Sequence, residues 1–156
     1  MIATLRKRDR QARGLLRGQQ LPQTLASDKA HVVAIASGKG GVGKTNVAVN
    51  LGISLARSGQ HVLVFDADFG LANVDVLLGL RVERTLRDVI GGRCSLSEVL
   101  VEGPDQLHLV PGGCGLSELV DLDSFGRGCL LRQLAEIEND FDFVLVDAAA
   151  GIGGDV

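Results

Sequence analysis

An α/β fold, with a mostly parallel sheet covered by helices on both faces, is predicted by three features of this sequence. Short apolar runs at 31–36, 61–65 and 141–146 have the length of buried strands. Segments with helical spacing lie between them, so the strands run parallel through crossovers and are buried on both sides. The first run opens directly into a glycine loop and a helix, and the second and third end in Asp66 and Asp147.

In chain order, residues 1–30 form a basic arm and linker. Ile2 to Arg17 has Leu5, Ala12, Leu15 and Leu16 near one helical face, and the polar stretch from Gly18 to Ala30 contains Pro22. The domain proper is expected over 31–156. His31–Ala36 is its first strand and Gly38–Gly43 a loop. Lys44–Arg57 is a helix carrying Ala48, Leu51 and Leu55 on one face, with Gly59 just past its end. His61–Phe65 is the second strand. Val74–Leu80 and Thr85–Ile90 read as apolar and helical, Ser95–Val101 as a short helix, and Leu107–Val110 as a strand stopped by Pro111-Gly112-Gly113. Ser124–Asn139 is an amphipathic helix, and Phe141–Val146 is a strand ending at Asp147 before Ala148-Ala149-Ala150-Gly151.

Composition bounds the function. The 156 residues suit one domain, 46% of them are hydrophobic, and the core must be aliphatic because there is no Trp or Tyr. No apolar run approaches the roughly 18 residues of a membrane-spanning helix, and the N-terminus lacks a secretory signal. Three widely spaced cysteines and scattered histidines offer no zinc pattern and fit reduced thiols in a cytoplasm. Through Arg17 the chain has six basic residues against Asp9, a balance of +5, so the rest carries −8 of the overall −3. Basic charge confined to one short arm does not make a nucleic-acid surface.

Ser37 to Asn46 contains G-x-x-x-x-G-K-T in Gly38, Gly43, Lys44 and Thr45, the pattern of a P-loop NTPase. Gly38, Gly40, Gly41 and Gly43, with Lys39 and Val42 between them, let backbone N–H groups turn toward phosphate oxygens, and the helix that follows adds its dipole. Lys44 reaches the β- and γ-phosphates of ATP, the Thr45 hydroxyl ligates Mg²⁺, and Asn46 completes the binding stretch. The same glycines spell G-x-G-x-x-G, and Asp66 follows Gly43 by 23 residues, which approaches a dinucleotide fingerprint. Lys44-Thr45 has no role in that fingerprint, and Asp147 supplies the carboxylate that phosphoryl transfer needs near Mg²⁺.

The heptapeptide Lys39-Gly-Gly-Val-Gly-Lys-Thr45 resembles the deviant Walker A motif of the MinD/ParA ATPases. The stretch from Asp66 to Asp75 resembles that family's switch I, D-x-D-x-G-x-x-N-x-D. The resemblance implies that Lys39 crosses an ATP-dependent homodimer to the partner's nucleotide, that Asp68 positions the attacking water, that Asp66 attends Mg²⁺ and its water shell, and that Asp147 holds the Walker B-like position. Plainer readings stand beside these: a solvated loop lysine for Lys39, and a turn cap for Asp68. Asp66–Leu80, Thr85–Arg93 and Leu107–Gly113 are most similar to the branch of flagellar-number regulators (FlhG, FleN, YlxH). That branch implies control of flagellar number or placement, and docking of an N-terminal D-Q-A-x-x-L motif on the SRP-type GTPase FlhF. Gln11-Ala12-Arg13-Gly14-Leu15 fits that motif; a solvated tail is the simpler reading of the arm.

Three departures accompany the resemblance. Arg10 stands where the motif has aspartate, and Ala148-Ala149 replace the usual threonine region of switch II. The chain also stops at Val156, before the family's later strands, adenine-binding residues and amphipathic membrane-targeting helix, so the domain is expected to be C-terminally incomplete, with an unpaired sheet edge beside the phosphate-loop strand. A truncated, non-catalytic nucleotide-binding or interaction fragment is one alternative function, a nicotinamide-dependent oxidoreductase a second, and a chromosome- or plasmid-partitioning ATPase a third.

Overall fold

The computed structural model describes residues 29–68, 73–113 and 124–150. Five strands form one sheet in the order β1-β5-β2-β4-β3: β1 (His31–Ser37), β2 (Val62–Ala67), β3 (Val101–Glu102), β4 (His108–Val110) and β5 (Phe143–Ala150). All neighbouring pairs are parallel except β3–β4, which is an antiparallel hairpin. The predicted fold class is therefore observed, with one antiparallel strand at an edge.

Side-chain alternation along β2 shows why both faces must be covered. Val62 and Val64 point to one side with Leu109 and Leu145, where helix α1 (Lys44–Arg57) contributes Val49 and Ala56. Leu63 and Phe65 point to the other with Val110 and Val144, under Leu86 and Val89 of α3 (Leu86–Ile90) and Ile137 of α4 (Ser124–Glu138). A strand buried on both sides reads as a continuous apolar run, which is how the sequence presented it. Helix α1 lies close to the sheet because Gly52 leaves room: a Cβ there would meet Leu107 Cδ1 at 3.1 Å and Val64 Cγ2 at 3.2 Å. The short helix α2 (Val74–Leu78) buries Val74.

Several boundaries differ from expectation. Ser95–Val101 is a single 3-10 turn at Leu96–Glu98, after which Val101 pairs with Leu109 in β3. The hairpin between β3 and β4 turns through Asp105 and Gln106, both at positive φ without being glycine, directly after the turn-forming pair Gly103-Pro104. β5 continues through the alanines to Ala150, which pairs with Ser37 after a register shift in β1. Small side chains place no steric bar on that extension. As expected, β1 lies at the sheet edge among the described residues, and Val32 and Val33 are 59% and 39% exposed there. The basic arm lies outside the described residues.

Candidate functional site

The loop that leaves β1 is held open. Ser37 Oγ donates to the Lys39 carbonyl at 2.7 Å, pinning the first turn. Gly41 and Gly43 have φ of 73° and 92°, a left-handed backbone that disfavours any residue with a Cβ. A Cβ added at Gly38, Gly41 or Gly43 would meet nothing within 4 Å, so no described side chain crowds these three backbone positions. Gly43 is also the N-cap of α1, with no side-chain cap and no acidic residue in the first turn. A 14-residue helix thus begins with no side-chain cap among the described residues, and its free N–H donors, with the helix dipole, attract an anion. Lys44 and Thr45 sit half-buried in that first turn; Lys39, Gly40, Val42 and Asn46 are exposed.

Strand order brings the acidic partner to the loop. Because β5 inserts between β1 and β2, Asp147 lies opposite Ile35 on one side and Asp66 on the other. Both aspartates are 1% exposed. Burial raises the Asp147 pKa above the usual carboxylate range; the Thr45 hydroxyl and the Lys44 ammonium pull it back, and the charge of Asp68 pushes it up again. The Thr45 hydroxyl approaches Asp147 without meeting full hydrogen-bond geometry, so neither carboxylate oxygen has a well-formed partner among the described residues. An unpartnered buried carboxylate is costly, and such a group is commonly retained for a ligand. Its position beside Thr45 suits Mg²⁺, which takes oxygen ligands from a hydroxyl, a carboxylate and phosphates. Among the described residues no three His, Cys, Asp or Glu side chains form a metal cage, so a cation here would need phosphate or water oxygens to complete its shell.

Asp66 is differently placed. Its pKa is pushed up to about 6 by burial, against backbone N–H groups that hold it down, with Asp147 adding repulsion. Oδ1 accepts from the Asp68 N–H at 3.1 Å; Oδ2 accepts from the N–H groups of Asn73 at 3.1 Å and Val74 at 3.3 Å.

The structure thus gathers the loop residues 38–46, Asp66, Asp68 and Asp147 at one end of β1, β5 and β2. Residues 69–72 of the switch I pattern and those after Ala150 lie outside the described residues. Two contributors had no role in the sequence reading. One is the Ser37 hydroxyl, whose only sequence signal is its place directly before the loop. The other is the pair of amides at Asn73 and Val74, signalled by a cap-type residue before an apolar run.

The chain is similar to known proteins over most of its length. The AAA domain family matches residues 30–153. The antiactivator FleN of Pseudomonas aeruginosa is 50% identical over 125 residues, covering 80% of this chain and 45% of that protein. The flagellum site-determining protein YlxH of Helicobacter pylori is 38% identical over 137 residues, covering 85% of this chain and 46% of that protein. The septum site-determining protein MinD of Pyrococcus horikoshii OT3, solved as a complex with Mg-ADP, superposes with a TM-score of 0.68 at 31% identity, over 80% of this chain and 51% of that one. The chain therefore spans about half the length of the relatives it matches.

Proposed function

The chain belongs to the AAA domain family and, within it, to the MinD/ParA-type ATPases, and from that premise we propose that it binds ATP with Mg²⁺ at residues 38–46 and serves as a dimerisation switch that sets flagellar number or placement. The observation that carries the nucleotide reading is the open glycine loop at an uncapped helix start, with the orphaned carboxylate of Asp147 beside it. Likeness to FleN and YlxH supports the flagellar role.

In this reading the loop amides and the Lys44 ammonium bind and neutralise the β- and γ-phosphates. Thr45 and Asp147 would hold Mg²⁺, with Asp66 reaching its water shell. When bound, the ion supplies charge neutralisation on the phosphate oxygens. Asp68 orients water toward the γ-phosphate and accepts its proton. Lys39, exposed on the loop, serves a second copy of the chain by placing a cation at the partner's phosphate; for arginine fingers such a cation is worth roughly 10³–10⁵ in rate. The basic arm is the proposed contact for FlhF, and the proposed compartment is the cytoplasm. Among the described residues no helix is long and apolar enough to cross a membrane.

Binding of a fluorescent ATP analogue, phosphate release and sedimentation with and without ATP test this directly. Lys44→Ala should abolish binding, whereas Lys39→Ala should bind normally, release no phosphate and stay monomeric. Equal loss of binding in both variants would remove any separate role for Lys39. Tight NADH binding without ATP or ADP binding would overturn the assignment.

A further inference from the structure

Asp66 ties together two places in the chain that sequence alone keeps apart. Its Oδ1 holds the amide of Asp68, the residue directly after β2, and its Oδ2 holds the amides of Asn73 and Val74, where α2 begins. Asn73, the N-cap of α2, makes no side-chain cap of its own. The first orphan donors of that helix are met instead by a carboxylate from a neighbouring strand end. At two other helix starts the N-cap amide is met locally: Asp88 returns to the Thr85 N–H at 2.9 Å, and Glu98 to the Ser95 N–H at 2.8 Å. Only 1% of Asp66 is exposed, so water does not compete for these bonds, and pairing with Asp147 across β2 and β5 fixes its own height in the sheet.

We propose that Asp66 is a positioning residue that anchors Asp68 to the start of α2, and so sets the distance from Asp68 to Asp147 and the phosphate loop. The role of Asp68 in water activation rests on the ATPase reading; the anchoring does not. Asp68 stands near enough to Asp147 for its charge to act on that carboxylate, so the anchored backbone already holds it at the site before any ligand arrives. A carboxylate suits this task because both of its oxygens accept, and three amides need acceptors on two sides. Asparagine has one acceptor oxygen and can serve only one side.

Amide hydrogen exchange on the full chain, free of metal and nucleotide, tests the anchor without any reference to turnover. Asp66→Ala should speed exchange at Asp68, Asn73 and Val74 by about tenfold or more, as loss of charge-assisted bonds requires, and leave Leu145 and Val146 of β5 unchanged. Asp66→Asn, the variant closest in shape, should expose either Asp68 or the Asn73–Val74 pair while protecting the other. Unchanged exchange at Asn73 and Val74 in both variants overturns the proposal. In phosphate release, Asp66→Asn should lower kcat by about tenfold or more at every Mg²⁺ concentration and leave KM for ATP within about twofold, because a displaced Asp68 is not restored by added ion whereas a lost metal-shell contact would be. A rise in KM with kcat preserved would also overturn the positioning role. Faster exchange in a protein whose wild type never hydrolyses ATP would uphold the anchor and refute the ATPase reading instead.

Discussion

Lowering the pH from about 7.5 to about 5 in the absence of metal should stabilise this fold by about 1.4 kcal/mol through Asp66 alone. Burial raises its pKa from 3.8 to about 6. The native state therefore holds the proton more tightly than the unfolded chain does. Stability gained from the protonated form is complete below the unfolded value and is lost as the pH rises through about 6. At about pH 5 the native group is roughly nine-tenths protonated and the unfolded one almost wholly ionised, a tenfold factor that corresponds to about 1.4 kcal/mol. Asp147, also raised, acts in the same direction. Asp88 and Glu98 are lowered instead, so their contributions are lost only on further acidification and do not mask the effect at pH 5. Lys44 and Asp68 face Asp147 rather than Asp66 and enter mainly through that group. Urea unfolding with a chelator at both pH values, on wild type and Asp66→Asn, isolates the Asp66 share as the difference between their pH responses. The same pH response in the two proteins would refute the claim that a buried, ionised Asp66 strains the ligand-free fold.

Asp147→Asn should raise metal-free stability at neutral pH by about 1 kcal/mol, since a neutral amide costs less to bury than an unpartnered carboxylate, while removing the Mg²⁺ dependence of nucleotide affinity. Urea midpoints and Mg²⁺ titrations of bound nucleotide read the two effects. Gly113→Ala should destabilise by about 2 kcal/mol in the same unfolding assay, because φ there is 95° and the new Cβ would lie 2.7 Å from Thr85 Oγ1. Val33→Lys should reduce concentration-dependent light scattering by this chain, since charge on an exposed edge strand blocks edge-to-edge pairing.

How much of this was legible in the chain follows from how local each signal is. The phosphate loop is a contiguous stretch in which glycine positions, Lys44 and Thr45 carry the geometry themselves, and helix α1 spans Lys44–Arg57 as its periodicity predicts. The strand β2 was readable because burial on both faces demands an unbroken apolar run; β1 carries the same kind of run although Val32 and Val33 are exposed at the edge. The short pieces were not: Val101 joins a two-residue strand through pairing with Leu109, a partner that no local pattern names. Tertiary packing alone decided the rest. Inserting β5 between β1 and β2 places Asp147 beside Asp66, 81 positions earlier in the chain, and leaves β1 at the edge among the described residues. That packing also determines which carboxylate is left without partners and which is saturated with amides, because hydrogen-bond satisfaction depends on neighbours that only the assembled sheet brings within reach.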